Sequence, residues 1–196
     1  MRAAGLAPFL AAGSAVDCHH PAVRLLAERM RRPSALATVQ AAYALVRDGY
    51  AHSYDIAAVE VSVSASDVLR HGHGICFAKA HLLAALLRAC AIPAGLCYQK
   101  LARDDDASGA TCLHGLNAVW LAETGRWHRL DPRGNKPATA LPFDPDCERL
   151  AYPIDPARGE CSYPAIYAEP RPCVMAALRS SRTVAALDRN LPAEIG

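Results

Sequence analysis

Between Pro21 and Arg31 the apolar residues Val23, Leu26, Ala27 and Met30 recur at spacings of three and four, the period of one helix face, and Pro21 stands where a helix opens. After the cap-like pair Pro33-Ser34 the same spacing returns in Leu36, Val39, Tyr43 and Val46. It predicts a second helix over Ala35 to Arg47, closed by Asp48-Gly49. Tyr50 to Val63 keeps neither period and reads as irregular or partly extended. Ser66-Asp67 predicts the cap of a short helical turn carrying Val68 and Leu69. A strongly apolar helix follows from Cys76 to about Cys90, and Ile92-Pro93 closes it. Three extended segments come next: Gly95 to Leu101, Leu113 to Leu121 and Arg126 to Leu130. Asp104-Asp105-Asp106 with Ser108-Gly109 makes a polar loop after the first, Glu123-Thr124-Gly125 a hairpin connection after the second, and Asp131-Pro132 ends the third. From Lys136 to Pro172 prolines are frequent and periodicity is weak, which predicts an extended arm packed over the core; a last helix is expected over Cys173 to Asp188. Helices first and an antiparallel strand set afterwards read as an α+β fold.

Composition narrows the classes. With 196 residues, 52% of them hydrophobic and 20% charged, the chain is able to bury a sizeable core in one domain. A net charge of +2 and the lack of a basic stripe with interleaved aromatics argue against nucleic acid as a partner. No stretch approaches a transmembrane length, so no membrane partner is expected. Arg2 followed by Ala3 to Ala12 faintly resembles a secretory signal, but Pro8 interrupts it and the basic region is a single arginine; the expected location is cytoplasmic. Eight cysteines (18, 76, 90, 97, 112, 147, 161 and 173) form an even set, yet the chain is not loop-dominated and has no C-x-x-C pair. Most of them are expected as free thiols.

The chemistry concentrates at Gly74-Ile75-Cys76. A glycine-rich turn delivers Cys76 to the start of the apolar helix, where unpaired N–H groups and the helix dipole favour a thiolate. The Cys76 amide itself would donate to an oxyanion. His114 and Asp131 follow at the start of one apolar run and the end of another. Each has a bland reading, a half-buried histidine and an Asp-Pro turn, as Cys76 alone would be a core thiol. Together, in this order, they make a nucleophile, a base and an orienter. Gln99 is a further oxyanion candidate without a spacing argument. His71, His73 and Cys76 form H-x-H-x-x-C, with Cys18-His19-His20 elsewhere, but a second paired motif is lacking; Asp104-Asp105-Asp106 lacks the glycine and glutamate of a calcium loop. Neither a metal nor a cofactor is expected.

Several stretches resemble the bacterial transglutaminase-like superfamily, which has a papain-like cysteine-enzyme fold. They are Val46-Arg47-Asp48 with His52-Ser53-Tyr54-Asp55, Ala65 to Leu69, Gly74-Ile75-Cys76, Leu82 to Ala89 with Ile92-Pro93-Ala94, His114 before Asn117 to Trp120, and Trp127 leading to Leu130-Asp131-Pro132. The resemblance covers about residues 35 to 136. It implies N-terminal helices, a nucleophile helix packed on an antiparallel sheet, and one domain over 1–196 with a proline-rich extension from 137. It also implies Cys76 as nucleophile, His114 as base and Asp131 as orienter, acting on a peptide or protein amide through a thioester, as in proteases, deamidases or acyl transferases. Ile75 and Phe77 stand where animal transglutaminases carry glutamine and tryptophan, which argues against protein cross-linking. The alternative is an inactive peptide-binding or scaffold module of the same fold.

Overall fold

Capping residues written into the sequence set where the first helices begin. The computed structural model describes residues 5–103, 109–134, 136, 140 and 142–196. The triple-aspartate loop expected at 104–106 lies outside them. Helix α1 (Pro21–Met30) opens on Pro21, with Nδ1 of His20 accepting the Ala22 N–H. In α2 (Ala35–Gly49) the Ser34 hydroxyl accepts the Ala37 N–H. A two-residue strand, β1 (Ala51–His52), comes next, and then α3 (Ala65–His71). The cap of α3 is Ser64, not the predicted Ser66-Asp67. Asp67 sits at the third helical position; its carboxylate accepts the Ser64 N–H while the Ser64 hydroxyl accepts the Asp67 N–H, a reciprocal box that needs this spacing.

Strand β2 (His73–Gly74) pairs in parallel with β1, placing His52 opposite Gly74. It runs straight into α4 (Cys76–Ala89), in which every residue from Cys76 to Arg88 is buried. Leu82, Leu83, Leu86 and Leu87 contribute about 1.5–3 kcal/mol each at full burial. The same helix buries two cations, and each is spent on backbone. Lys79 Nζ donates to the carbonyls of Arg47 and Tyr50, satisfying the open end of α2. Burial pushes this ammonium down to about 8. Arg88 donates to the carbonyls of Ala94, Ala11 and Ala168, tying both outer segments of the chain to α4.

The main sheet contains β3 (Ala94–Ala102), β4 (Thr111–Leu121), β5 (Arg126–Leu130) and β6 (Cys161–Ser162), antiparallel in the order β5-β4-β3-β6. Gln99 lies opposite His114 across β3 and β4, and Asn117 opposite Leu130 across β4 and β5. Asn117 Nδ2 donates to the Ala80 carbonyl at 2.9 Å and so bonds the sheet to α4. Gly115 allows the two to meet: a Cβ there would lie 2.5 Å from Cδ1 of Phe77 and 3.3 Å from its Cα. The predicted arm is largely irregular but supplies β6 and a 3-10 turn at Pro156–Arg158. The single helix expected over Cys173 to Asp188 is instead two, α5 (Pro172–Ser180) and α6 (Val184–Arg189). Ser181 is extended and the Thr183 hydroxyl caps the Ala186 N–H, which starts a new helix where the apolar spacing suggested continuity. All eight cysteines are free thiols; burial holds Cys97 up at about 12.

Candidate active site

Gly72 ends α3 in the left-handed conformation at φ 78°, and the two residues of β2 then aim the chain at the first turn of α4. Cys76 therefore stands at the N-terminus of a 14-residue helix, 9% exposed, with the Gly115 N–H directed at its sulfur at 3.5 Å. From β4, His114 is brought to the same cleft as this thiol, where the charge of one acts on the other. His114 Nε2 lies 2.7 Å from Oδ2 of Asp131, just past β5, which leaves Nδ1 as the nitrogen for sulfur. Asp131 is fully buried, and its carboxylate also accepts the Arg133 N–H and the Ala151 N–H, both at 3.0 Å.

The electrostatics follow from this arrangement. Burial alone would discharge the His114 imidazole, but the Asp131 carboxylate and the Cys76 thiolate charge beside it outweigh that and lift it to about 10. Burial likewise opposes the Asp131 charge, and His114 with the two backbone donors holds the carboxyl below its ordinary value. Such a site accommodates an imidazolium beside the Asp131 carboxylate at neutral pH.

Cys76 and His114 open onto a cleft of about 560 Å³ that is also lined by His52, Tyr54, Tyr152 and Leu191. The arm shapes one wall: the Tyr152 ring meets His114 edge-on at 4.9 Å, and Lys136 Nζ lies 5.0 Å above Tyr152. Below, Arg133 holds Asp55 through two 2.8 Å bonds. At the opposite lip the Asp188 carboxylate is bound by Arg103 at 2.8 Å, and burial together with that carboxylate's charge pushes the Tyr54 hydroxyl up.

Of the residues singled out in the sequence, Cys76, His114 and Asp131 come together. Gln99 does not join them: its amide donates to the Tyr152 carbonyl and the Ser162 hydroxyl. His71 and His73 engage the hydroxyls of Ser62 and Ser53 through Nδ1, at 2.9 and 3.0 Å, and among the described residues no set of three histidine, cysteine or acidic side chains is placed to hold a metal. His52 and Tyr152 entered no sequence-based site. His52-Ser53-Tyr54-Asp55 was visible only as a shared stretch, and Tyr152 lies where no period guides the eye.

A cysteine at the head of a buried helix, packed on an antiparallel sheet that carries a histidine, is the α+β arrangement of papain-like cysteine proteins. The family model of the transglutaminase-like superfamily matches residues 24–132, and the chain belongs to that superfamily. Two solved structures share the fold. One is a proposed cysteine protease from Cytophaga hutchinsonii, with a TM-score of 0.52 and 20% identity over 70% of this chain. The other is the periplasmic domain of TgpA from Pseudomonas aeruginosa, with a TM-score of 0.51 and 21% identity over 67%. The match spans less than half of either structure, 43% and 48% respectively. None of the curated protein sequences matches the chain. Among the described residues no helix is long and apolar enough to cross a membrane.

Proposed function

We propose that the protein is a thiol enzyme that cleaves or transfers an amide or peptide bond through a thioester on Cys76. The observation that carries this reading is the His114 imidazole bonded to the buried Asp131 carboxylate at 2.7 Å and lining the same cleft as Cys76. In the forward step the Cys76 thiolate attacks the substrate carbonyl carbon and forms a C–S bond. The C–N bond then breaks, and the leaving nitrogen takes the proton from His114 Nδ1. Asp131 keeps the ring oriented and stabilises its charged form. Water, or an amine acceptor, next attacks the thioester with His114 as base, releasing the acyl group and restoring the thiolate. A cleft of about 560 Å³ over Cys76 supports a peptide or protein side-chain amide as substrate, and the charges around it are balanced in pairs rather than of one sign.

Iodoacetamide at a limiting dose and neutral pH tests the assignment. Cys76 is expected to be alkylated at least tenfold faster than the other seven cysteines, a preference that His114→Ala abolishes. Peptide mapping by mass spectrometry reads both, and equal labelling of all eight thiols would sink the reading. With a peptide library as acyl donor, the trapped species is expected on Cys76 alone.

A further inference from the structure

Cys76 is the first residue of α4, so its N–H has no carbonyl partner within the helix. It is donated instead to Nε2 of His52 at 3.1 Å. His52 is 5% exposed and lines the same cleft as Cys76 and His114. Its place is fixed by backbone: the parallel pairing of β1 with β2 sets His52 opposite Gly74, beside the turn that starts α4. The ring faces a second backbone donor as well, the Tyr54 N–H, 3.4 Å from Nδ1.

A neutral imidazole has one nitrogen with a free lone pair, so it accepts from only one of these two donors. The shorter contact selects Nε2 as acceptor in the free protein and leaves the proton on Nδ1, turned toward the Tyr54 N–H. That is a donor facing a donor. The opposite tautomer moves the mismatch to the cleft side: Nδ1 accepts from Tyr54, and Nε2–H lies beside the Cys76 N–H, two donors next to each other. Burial, reinforced by the Arg133 charge, keeps the ring neutral, so the exchange is between two neutral forms.

We propose that His52 is the second oxyanion donor of the site, working with the Cys76 N–H; the proposal rests on the thioester reading above. As Cys76 Sγ bonds to the carbonyl carbon, the π electron pair moves to oxygen. That oxygen replaces His52 Nε2 as the acceptor of the Cys76 N–H. The ring gives up its Nδ1 proton to cleft water and takes one at Nε2, leaving its proton count unchanged. Nε2–H then donates to the oxyanion and Tyr54 N–H closes on Nδ1. When the C–N bond breaks, the oxygen pair re-forms the carbonyl of the thioester, the ring gives its Nε2 proton to cleft water and takes one back at Nδ1, and the Cys76 N–H returns to Nε2. The free protein thus stores an unsatisfied contact that is relieved only when negative charge develops at oxygen.

Two probes of one thiol separate this role from mere support of Cys76. Acylation by 4-nitrophenyl acetate passes through a tetrahedral oxyanion; alkylation by iodoacetamide does not. His52→Leu keeps bulk and removes the donor. It is expected to slow acylation about 100-fold, the range for loss of one oxyanion donor, and to change alkylation less than about threefold. His52→Gln restores an N–H at similar reach and is expected to recover at least tenfold of that loss. Should the leucine variant fail to fold in thermal unfolding, His52→Asn, polar but too short, is expected to show the same selective loss. Acylation and alkylation falling together in the donor-less variant, or neither falling, overturns the proposal. Wild-type protein whose Cys76 is not alkylated preferentially overturns instead the thioester reading on which it rests.

Discussion

His81, in the middle of α4, and His114, at the mouth beside the head of that helix, are buried to nearly the same degree, 1% and 4% exposed. Their charge states part in opposite directions. Among the described residues His81 has one hydrogen-bond partner, the Val63 carbonyl at 2.8 Å from Nδ1, and burial drives its pKa down to about 4. His114 suffers the same burial, but Asp131 and Cys76 stand on either side of it and raise it to about 10. Removal from water makes a histidine electrically silent; a buried carboxylate makes the same side chain a cation. The difference between a packing residue and a candidate base therefore lies in its anionic neighbours, Asp131 foremost.

Removing that neighbour should break the contrast, with the largest effect of any single change. In Asp131→Asn the amide still fills the space, but burial again dominates at His114, whose pKa should drop below 6.5 as that of His81 does. Alkylation of Cys76 at pH 7 should fall about 10²- to 10⁴-fold, as carboxylate-to-amide changes do in such triads. Rates of iodoacetamide labelling across pH 5 to 10 measure this; an unchanged profile would show that Asp131 does not set the charge of His114. The sign for stability is definite. The raised His114 contributes fully below its unfolded value near 6.5, and this contribution disappears as pH climbs through about 10.

His81 should show the opposite linkage. Its depressed pKa means that the unfolded chain binds a proton near pH 6.5 while the folded chain does not until about 4. Stability is complete above 6.5 and is lost as pH falls through that window, by about 1.4 kcal/mol per unit. His81→Leu removes the titration. Between pH 7 and pH 5 the wild type should lose about 2 kcal/mol more than the variant, read from urea midpoints at the two pH values. Parallel losses would mean that His81 is not the group responsible.

How far the sequence foretold these environments depends on the length of the pattern. The α2, α4, β4 and β5 segments carry their own period or apolar run over five residues or more, and they form where expected. Cys76, His114 and Asp131 stood out because each closes or opens such a run. The helix break at Ser181 was hidden, since Val174, Ala177, Leu178, Val184 and Leu187 keep nearly one spacing and only the Thr183 cap divides them. His52 owes its position to a two-residue parallel pairing, too short to leave a period. Lys79 entered no sequence-based expectation, although a charge on a helix with no polar face must find partners indoors, here the two carbonyls at the end of α2.

Tyr152 tests whether the arm belongs to the machinery or only covers it, and here the smallest effect is expected. Its ring edge meets His114, and the neighbouring Ala151 N–H supports Asp131, so the arm closes the imidazole–carboxylate pair from one side. The pair itself is made by β4 and the residue after β5, and the 2.7 Å bond between His114 and Asp131 does not pass through the arm. The charges that lift His114 come from Asp131 and Cys76. Tyr152→Ala should therefore lower unfolding stability by about 1–3 kcal/mol through lost ring burial. It should leave Cys76 alkylation at pH 7 within about threefold of wild type, with the Asp131→Asn loss as the scale against which threefold is small. A loss approaching that of Asp131→Asn would move Tyr152 from the wall of the cleft into the set that holds the charge on His114.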